Sequence, residues 1–319
     1  MRIAIFGSGG VGAYFGGRLA QFGQDVTFIA RNESLTVMRE RGLRVDSIAG
    51  DFNLPKVQVT DTPAEVGPVD YIICSVKCWQ VEDAAKQMLP MIDENTLVIP
   101  TQNGVEAYDQ LTSQLDPANV LGGMCAIIAF QEKPGHIIHN GANPLVRFSH
   151  IDDRPDPRVN KLSEIINNCS GVKSSIPRNM QVAIWQKFML IAPWSGLGSV
   201  SRAPIGTLLK QNETRELLAQ AMEEIYQLAC ARGISMPENS VEKTLERLES
   251  FPANSKTSMQ RDIAKGFPSE LDFQNGAVVR LGHEVELETP LNRYFLYSLR
   301  SLELRARGAL KFNRRSSPR

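Results

Sequence analysis

The chain has no net charge to spare: 35 Lys and Arg balance 35 Asp and Glu over 319 residues. Without a basic field to grip a phosphate backbone, nucleic acid is excluded as a partner. No apolar run approaches the roughly 18 to 20 residues that span a bilayer, so no membrane partner is expected. The opening MRIAIFG has too short an apolar stretch for a secretory signal. Cysteine is sparse and odd in number (Cys74, Cys78, Cys125, Cys169, Cys230), which argues against a disulfide framework and for reduced, cytoplasmic thiols. Cys74 and Cys78 do not form a CxxC. His136 and His139 have no cluster of sulfur or acidic ligands beside them in the sequence, so no metal site is expected.

What is present is a long chain with 42% hydrophobic residues, enough for two domains with real cores. Arg2 to Phe6 (RIAIF) is a short apolar run that stops at Gly7, as a buried parallel strand does. Val11 to Phe22 reads as a helix with Ala13, Gly16, Gly17 and Ala20 on one face, closed by Gly23. Asp25 to Ala30 is a second strand, which completes a βαβ unit. Further strands are expected at Leu43–Asp46, Phe52–Val59, Asp70–Val76, Leu97–Pro100, Val120–Phe130, His136–His139 and Leu145–Phe148, with helices at Ser34–Arg41 and Val81–Leu89. Such alternation predicts a Rossmann-type, doubly wound, mostly parallel α/β sheet over residues 1–176. From 177 to 319 the β pattern vanishes. Val182–Ile191, Thr214–Arg232, Val241–Leu248, Ser269–Leu281 and Leu291–Ala306 predict an all-helical second domain, with starts at Ser240 and at Thr289-Pro290. Pro193 predicts a kink. The basic tail Lys311–Arg319 reads as a solvated terminus.

Gly7-Ser8-Gly9-Gly10-Val11-Gly12 fits G-x-G-x-x-G in the context the motif demands, after a strand and opening a helix. Gly7 permits the tight turn, Gly9 lets the backbone approach a pyrophosphate, and Gly12 lets helix and strand pack closely. N–H groups at the helix start then meet the phosphate charge. The second strand ends Ile29-Ala30-Arg31-Asn32. An acid there would hold the ribose 2′-OH of NAD, whereas Arg31 offers a fork for a 2′-phosphate. The charge points to NADPH; the competing reading makes Arg31 a solvated strand end and Glu33 the ribose contact.

These features, with Ser75-Val76-Lys77, Trp79-Gln80, Gln102-Asn103-Gly104-Val105, Trp185-Gln186-Lys187-Phe188, Ser258-Met259-Gln260-Arg261-Asp262-Ile263, Ser269-Glu270-Leu271-Asp272 and Asn275-Gly276, make the chain resemble the ketopantoate reductase family nearly end to end. The resemblance implies reduction of 2-dehydropantoate to pantoate with NADPH, toward pantothenate and coenzyme A. It implies Lys187 as the general acid, Glu270 as an acidic partner in the substrate site, and Asn103 as a contact to substrate and nicotinamide. It further implies Ser258 as a contact to the substrate carboxylate and Lys77 as a lysine beside the cofactor ribose. The chemistry suits a ketone reduction, which needs a proton donor where negative charge develops on oxygen. Read from pattern alone, Lys187 is a snorkelling lysine before it is a proton donor, Asn103 a turn residue and Glu270 a helix cap; the resemblance reverses that order for Lys187.

One stretch departs from the family's pattern. Where many members carry asparagines a turn and two turns past the lysine, this chain has Ile191 and Ser195. Ile191 cannot hydrogen-bond a substrate hydroxyl, so a more apolar 2-oxo acid is the alternative substrate, with Ser195 kept as a substrate contact. A non-catalytic NADPH sensor is the reading of another class, and loss of the proton donor would have favoured it. A nucleotide-sugar or hydroxyacyl dehydrogenase would normally show an acid after the second strand, or a catalytic His or Cys. A homodimer is compatible with the helical half but nothing specifies it.

Overall fold

A computed structural model describes residues 1–141 and 143–311; of the basic tail, residues 312–319 lie outside it. In chain order the elements are β1 (Arg2–Phe6), α1 (Gly10–Gln21), β2 (Asp25–Ile29), α2 (Asn32–Arg41), β3 (Leu43–Ser47), β4 (Phe52–Leu54), β5 (Gln58–Thr60), β6 (Tyr71–Cys74), α3 (Val81–Met88), β7 (Leu97–Pro100), α4 (Ala107–Thr112), β8 (Gly122–Ala126), β9 (Ala129–Lys133), β10 (His136–His139), β11 (Leu145–Ser149), α5 (Pro157–Asn168) and β12 (Lys173–Ser175). Then come α6 (Met180–Ser201), α7 (Ile205–Lys210), α8 (Asn212–Ala231), α9 (Ser240–Glu249), α10 (Ser258–Lys265), α11 (Asn275–Glu284) and α12 (Pro290–Ala306). Two compact units divide the chain, Met1–Ile184 and Trp185 onward.

The first unit is built on a five-stranded, all-parallel sheet of order β5-β2-β1-β6-β7. Its central strands are apolar on both faces because both faces are covered. Ile3, Ile5, Tyr71, Ile73, Leu97 and Ile99 join one core cluster, and Ala4, Phe6, Ile72, Cys74 and Val98 the other. From β1 the chain steps to β2 on one side and later returns to β6 on the other, so the topological switch point lies outside the carboxyl ends of β1 and β6. Gly23, at φ +86°, follows α1 and donates its N–H to the Ala20 carbonyl at 2.9 Å, as a helix-closing glycine should.

Two expected strands prove to be pairs. Phe52–Val59 is interrupted at Pro55, which has no N–H for a ladder; β4 pairs antiparallel with β3, while β5 joins the parallel sheet beside β2. Val120–Phe130 likewise splits into β8, paired with β11, and β9, paired with β10. The result is two small extra sheets, of order β4-β3-β10-β9 and β12-β11-β8. Period-2 patterning reports that a residue is extended, not which sheet it joins.

The second unit is helical throughout its described residues. Helix α6 runs from Met180 through Pro193 to Ser201, well past the predicted end at Ile191. The expected helix Ser269–Leu281 is instead a single 3-10 turn, Leu271–Phe273, followed by α11. Helices α4, α5, α7 and α10 had no counterpart in the sequence reading. Met259, Leu271, Val279, Leu296 and Leu299 form an apolar cluster. Beside it runs a buried polar chain. Glu224 accepts from the Leu291 and Asn292 backbone N–H groups at 2.7 and 3.0 Å and from Asn292 Nδ2 at 2.7 Å. Asn275 Nδ2 then donates to Asn292 Oδ1 at 3.0 Å and to the Ala192 carbonyl of α6 at 3.1 Å. Glu224 thus satisfies first-turn donors of α12, and Asn275 ties that helix to α6.

Candidate functional site

The glycine motif lies at the switch point. Gly7 takes φ +103°, and a Cβ there would come within 2.8 Å of the Val76 nitrogen. The turn that ends β1 therefore touches the loop that ends β6. A Cβ on Gly12 would lie 2.1 Å from the Gly7 carbonyl oxygen, and one on Gly10 2.6 Å from Phe130 Cα in β9. A Cβ on Gly9 would meet nothing within 4 Å. The protein's own packing requires Gly7, Gly10 and Gly12, whereas Gly9 faces open space. Beside it are the N–H groups of Gly10, Val11 and Gly12, which precede the first α1 bond, from the Ala13 N–H to the Gly9 carbonyl at 2.9 Å. That is a cradle a Cβ would fill, with helix-start donors aimed at it, and it fits a pyrophosphate. Ser8 is turned inward, its hydroxyl donating to the Ile29 carbonyl at 3.0 Å.

Arg31 sits where β2 ends, as the exposed residue preceding α2, and donates to Gln87 Oε1 of α3. Lys77 follows β6, half-buried, with its ammonium 5.9 Å from the Trp79 ring centroid. Asn103 follows β7, half-buried. Lys77 and Asn103 are held in neighbouring loops by Gln102, which sequence reasoning passed over. Its buried amide donates to the carbonyls of Cys74 and Val76 at 3.1 and 2.9 Å and accepts from the Thr101 N–H at 3.0 Å. In this unit the structure gathers the glycine turn and the residue 75–77 loop at one sheet edge, with Arg31 at the end of the adjacent strand.

In the second unit, Lys187, Ile191 and Ser195 recur at i, i+4 and i+8 on α6 and so share one face. Lys187 and Ile191 are half-buried; Ser195 is fully buried, and its hydroxyl has no partner. Trp185 packs edge-on against Phe188, with ring centroids 5.8 Å apart. Asn275 lies against the neighbouring face, where a Cβ on Gly196 would meet its amide at 2.9 Å. Ser258 is the first residue of α10, half-buried; the cap is Thr257, whose Oγ1 accepts from the Gln260 N–H at 3.1 Å. Glu270 is buried and does not cap the turn it precedes. The preceding Ser269 is clamped instead: its N–H and hydroxyl donate to Glu303 at 3.1 and 2.5 Å, and Arg307 donates to its carbonyl at 3.1 Å. Burial pushes the Arg261 guanidinium below the usual arginine range.

The remaining nucleophiles and ligands fall away. Burial pushes the Cys74 thiol up to about 12, so it stays protonated. His136 does have acidic neighbours, contrary to the sequence reading: its two ring nitrogens lie 2.9 Å from Asp46 and from Glu132. Among the described residues no group of three or more His, Cys, Asp or Glu could hold a metal ion. Nor is any described helix long and apolar enough to cross a membrane.

With this geometry in place, comparison with known proteins is specific. Residues 3–152 match the family model "Ketopantoate reductase PanE/ApbA" and residues 179–303 that of its C-terminal domain. An uncharacterized oxidoreductase, YkpB, of Bacillus subtilis is 27% identical over 91% of this chain and 95% of its own. A 2-dehydropantoate 2-reductase of Pyrococcus abyssi is 29% identical over 92% of this chain and 94% of its own. A crystal structure of a PanE/ApbA family ketopantoate reductase from Ralstonia eutropha JMP134 superimposes with a TM-score of 0.86 at 29% identity, covering 96% of this chain and all (100%) of that one.

Proposed function

The chain belongs to the ketopantoate reductase family of oxidoreductases, and from that premise we propose that it reduces 2-dehydropantoate to pantoate with NADPH. The observation that carries the reading is the face of α6, where a half-buried lysine at 187 lies in line with a buried, unpartnered hydroxyl at 195. A sensor that only bound the cofactor would have no use for a proton donor held this way.

Gly7, Ser8, Gly9, Gly10, Val11 and Gly12 would hold the cofactor's pyrophosphate, Arg31 its 2′-phosphate, and Lys77 and Asn103 its ribose and nicotinamide; when bound, the cofactor would supply hydride to the 2-oxo carbon. The chain's residues do the rest. Lys187 holds the proton that passes to the carbonyl oxygen as the C–O double bond becomes a single bond, which neutralises charge as it forms. Ser258 offers a hydroxyl to the substrate carboxylate, Asn103 and Ser195 orient the substrate, and Glu270 supports Lys187.

One observation favours a second substrate. Ile191, half-buried between Lys187 and Ser195 on the same face, offers an apolar surface and no hydrogen bond. It suits a branched 2-oxo acid lacking the hydroxyl. The test is NADPH oxidation followed by absorbance with 2-dehydropantoate and with its deoxy analogue, 3,3-dimethyl-2-oxobutanoate, NADH run in parallel. Turnover of 2-dehydropantoate, cut by about 10²- to 10⁴-fold in Lys187→Ala with NADPH binding intact, is expected. Turnover of the deoxy acid alone moves the substrate to the second reading. Tight NADPH binding without turnover of either acid overturns both.

A further inference from the structure

Arg31 is braced, and the bracing reaches beyond the charge of a lone guanidinium. Ile29, the last residue of β2, shares a core cluster with Val81, Ala84, Ala85 and Met88 of α3, so the last turn of α3 rises beside the end of β2. From that turn Gln87 receives the Arg31 Nη2 hydrogen bond on Oε1, while its own Nε2 donates to the Asp83 carbonyl at 3.2 Å. That second bond fixes which end of the amide meets the guanidinium. The partner is a neutral acceptor, so Arg31 is oriented without being neutralised, as a carboxylate would neutralise it. On the other side, Gln131 Nε2 of β9 donates to the Ser34 hydroxyl in the first turn of α2 at 2.9 Å. β9 is itself pressed onto the phosphate loop, with Phe130 Cα lying where a Gly10 side chain would be. Two glutamines from separate elements thus fix the turn Arg31–Ser34, in which Asn32 holds a positive φ of 52°.

We propose that Gln87 and Gln131 are positioning residues that hold Arg31 and Ser34 for the 2′-phosphate of the cofactor, and so set the preference for NADPH over NADH. The inference rests on the NADPH reading above. An arginine free to sample its rotamers would have to be ordered on binding, at a cost in side-chain entropy; a guanidinium already held in place avoids that loss. A glutamate at 87 would pair with Arg31 and repel the phosphate.

The test is binding by quenching of intrinsic tryptophan fluorescence, with NADPH and NADH as probes, on the full chain and on Gln87→Leu, Gln87→Glu, Gln131→Leu, Arg31→Leu and the Arg31→Leu/Gln87→Leu double variant. In the parent chain NADPH binds more tightly than NADH. Gln87→Leu and Gln131→Leu weaken NADPH about three- to tenfold, the size of ordering one side chain, and leave NADH unchanged. Gln87→Glu lowers the NADPH:NADH preference further than Gln87→Leu does. In the Arg31→Leu background, Gln87→Leu adds nothing. A preference unchanged in the glutamine variants, or a Gln87→Leu effect as large without Arg31 as with it, overturns the proposal while NADPH selectivity itself stands. A parent chain with no preference for NADPH removes the premise and the proposal together.

Discussion

Gln102 donates its side-chain amide to the Val76 carbonyl at 2.9 Å, and that one bond ties the loop carrying Lys77 to the loop carrying Asn103. With its bonds to Cys74 and Thr101 it is the clip at the carboxyl ends of β6 and β7. Gln102→Leu keeps the volume and takes from the Val76 carbonyl its partner, at a cost of about 1–3 kcal/mol, while the Cys74 carbonyl and the Thr101 N–H still bond each other at 3.1 Å. The variant is expected to melt several degrees lower by differential scanning fluorimetry and to bind NADPH several-fold more weakly. Unchanged melting and affinity would show that water takes over the clip.

The four glycines of the phosphate turn should separate into two kinds. Gly12→Ala places a methyl 2.1 Å from the Gly7 carbonyl, backbone that cannot swing aside, so it is expected to lower the melting temperature without any ligand. Gly9→Ala meets nothing; its melting is expected to match the parent, while NADPH binding falls at least about tenfold because the methyl occupies the space a pyrophosphate would take. Melting curves with and without NADPH read both effects at once. If Gly9→Ala binds normally, the cofactor does not lie over this turn.

The first βαβ unit was legible because its signals agree: apolar runs too short for helices, a glycine turn between them and small residues on the helix face. The sheet assignments were not. Nothing in the local pattern of Phe52–Val59 or Val120–Phe130 says that their halves enter different sheets, since one half of each pairs with a neighbour in sequence, Leu43–Val45 or His136–His139, and the other with a more distant strand, Thr27–Ile29 or Leu145–Ser149. Within the site, the predicted helix Val182–Ile191 puts Lys187 and Ile191 on one face; Ser195 lies past its predicted end and joins that face because α6 runs on through Pro193 to Ser201. Gln102, Gln87, Gln131 and Glu303 could not be placed from the sequence, because each acts through a contact 26 or more residues away, and a polar residue of unremarkable type carries no local mark of that.

Acid should weaken the first unit through Asp156. Burial pushes its carboxyl up, but the Arg158 side chain, then the His150 ring and the Arg158 N–H, outweigh that and hold it well below the usual aspartate range. The ring and the guanidinium both lie 2.8 Å from Oδ2, and the carboxylate also caps α5. A carboxyl whose folded pKa is depressed binds its proton more readily when unfolded. Its stabilisation is therefore complete above the unfolded value, near 3.8, and is lost as pH falls below it. Melting temperature measured from pH 6 down to pH 2.5 is expected to drop through this window. Asp156→Asn should start lower at pH 6 and fall less steeply. Parallel curves for the two proteins would place the acid sensitivity elsewhere.

Ile191 is where the substrate's identity should be decided. It lies one turn from Lys187 and one turn from Ser195, half-buried on the face they share. A site that hydrogen-bonds a substrate hydroxyl rejects the analogue without it, because the polar group is then left buried and unpaired, whereas an apolar wall discriminates weakly against an added hydroxyl. The ratio of kcat/KM for 2-dehydropantoate to that for its deoxy analogue, 3,3-dimethyl-2-oxobutanoate, therefore reads the chemistry at residue 191 and cancels anything that merely slows the enzyme. Ile191→Asn is expected to raise that ratio at least about tenfold, one hydrogen bond's worth, by lowering turnover of the deoxy acid, raising that of the hydroxylated one, or both. Ile191→Val, which trims the side chain without adding a donor, should leave the ratio near the parent's. If asparagine and valine shift it equally, residue 191 contributes shape alone, and the hydroxyl is read from another wall of the site.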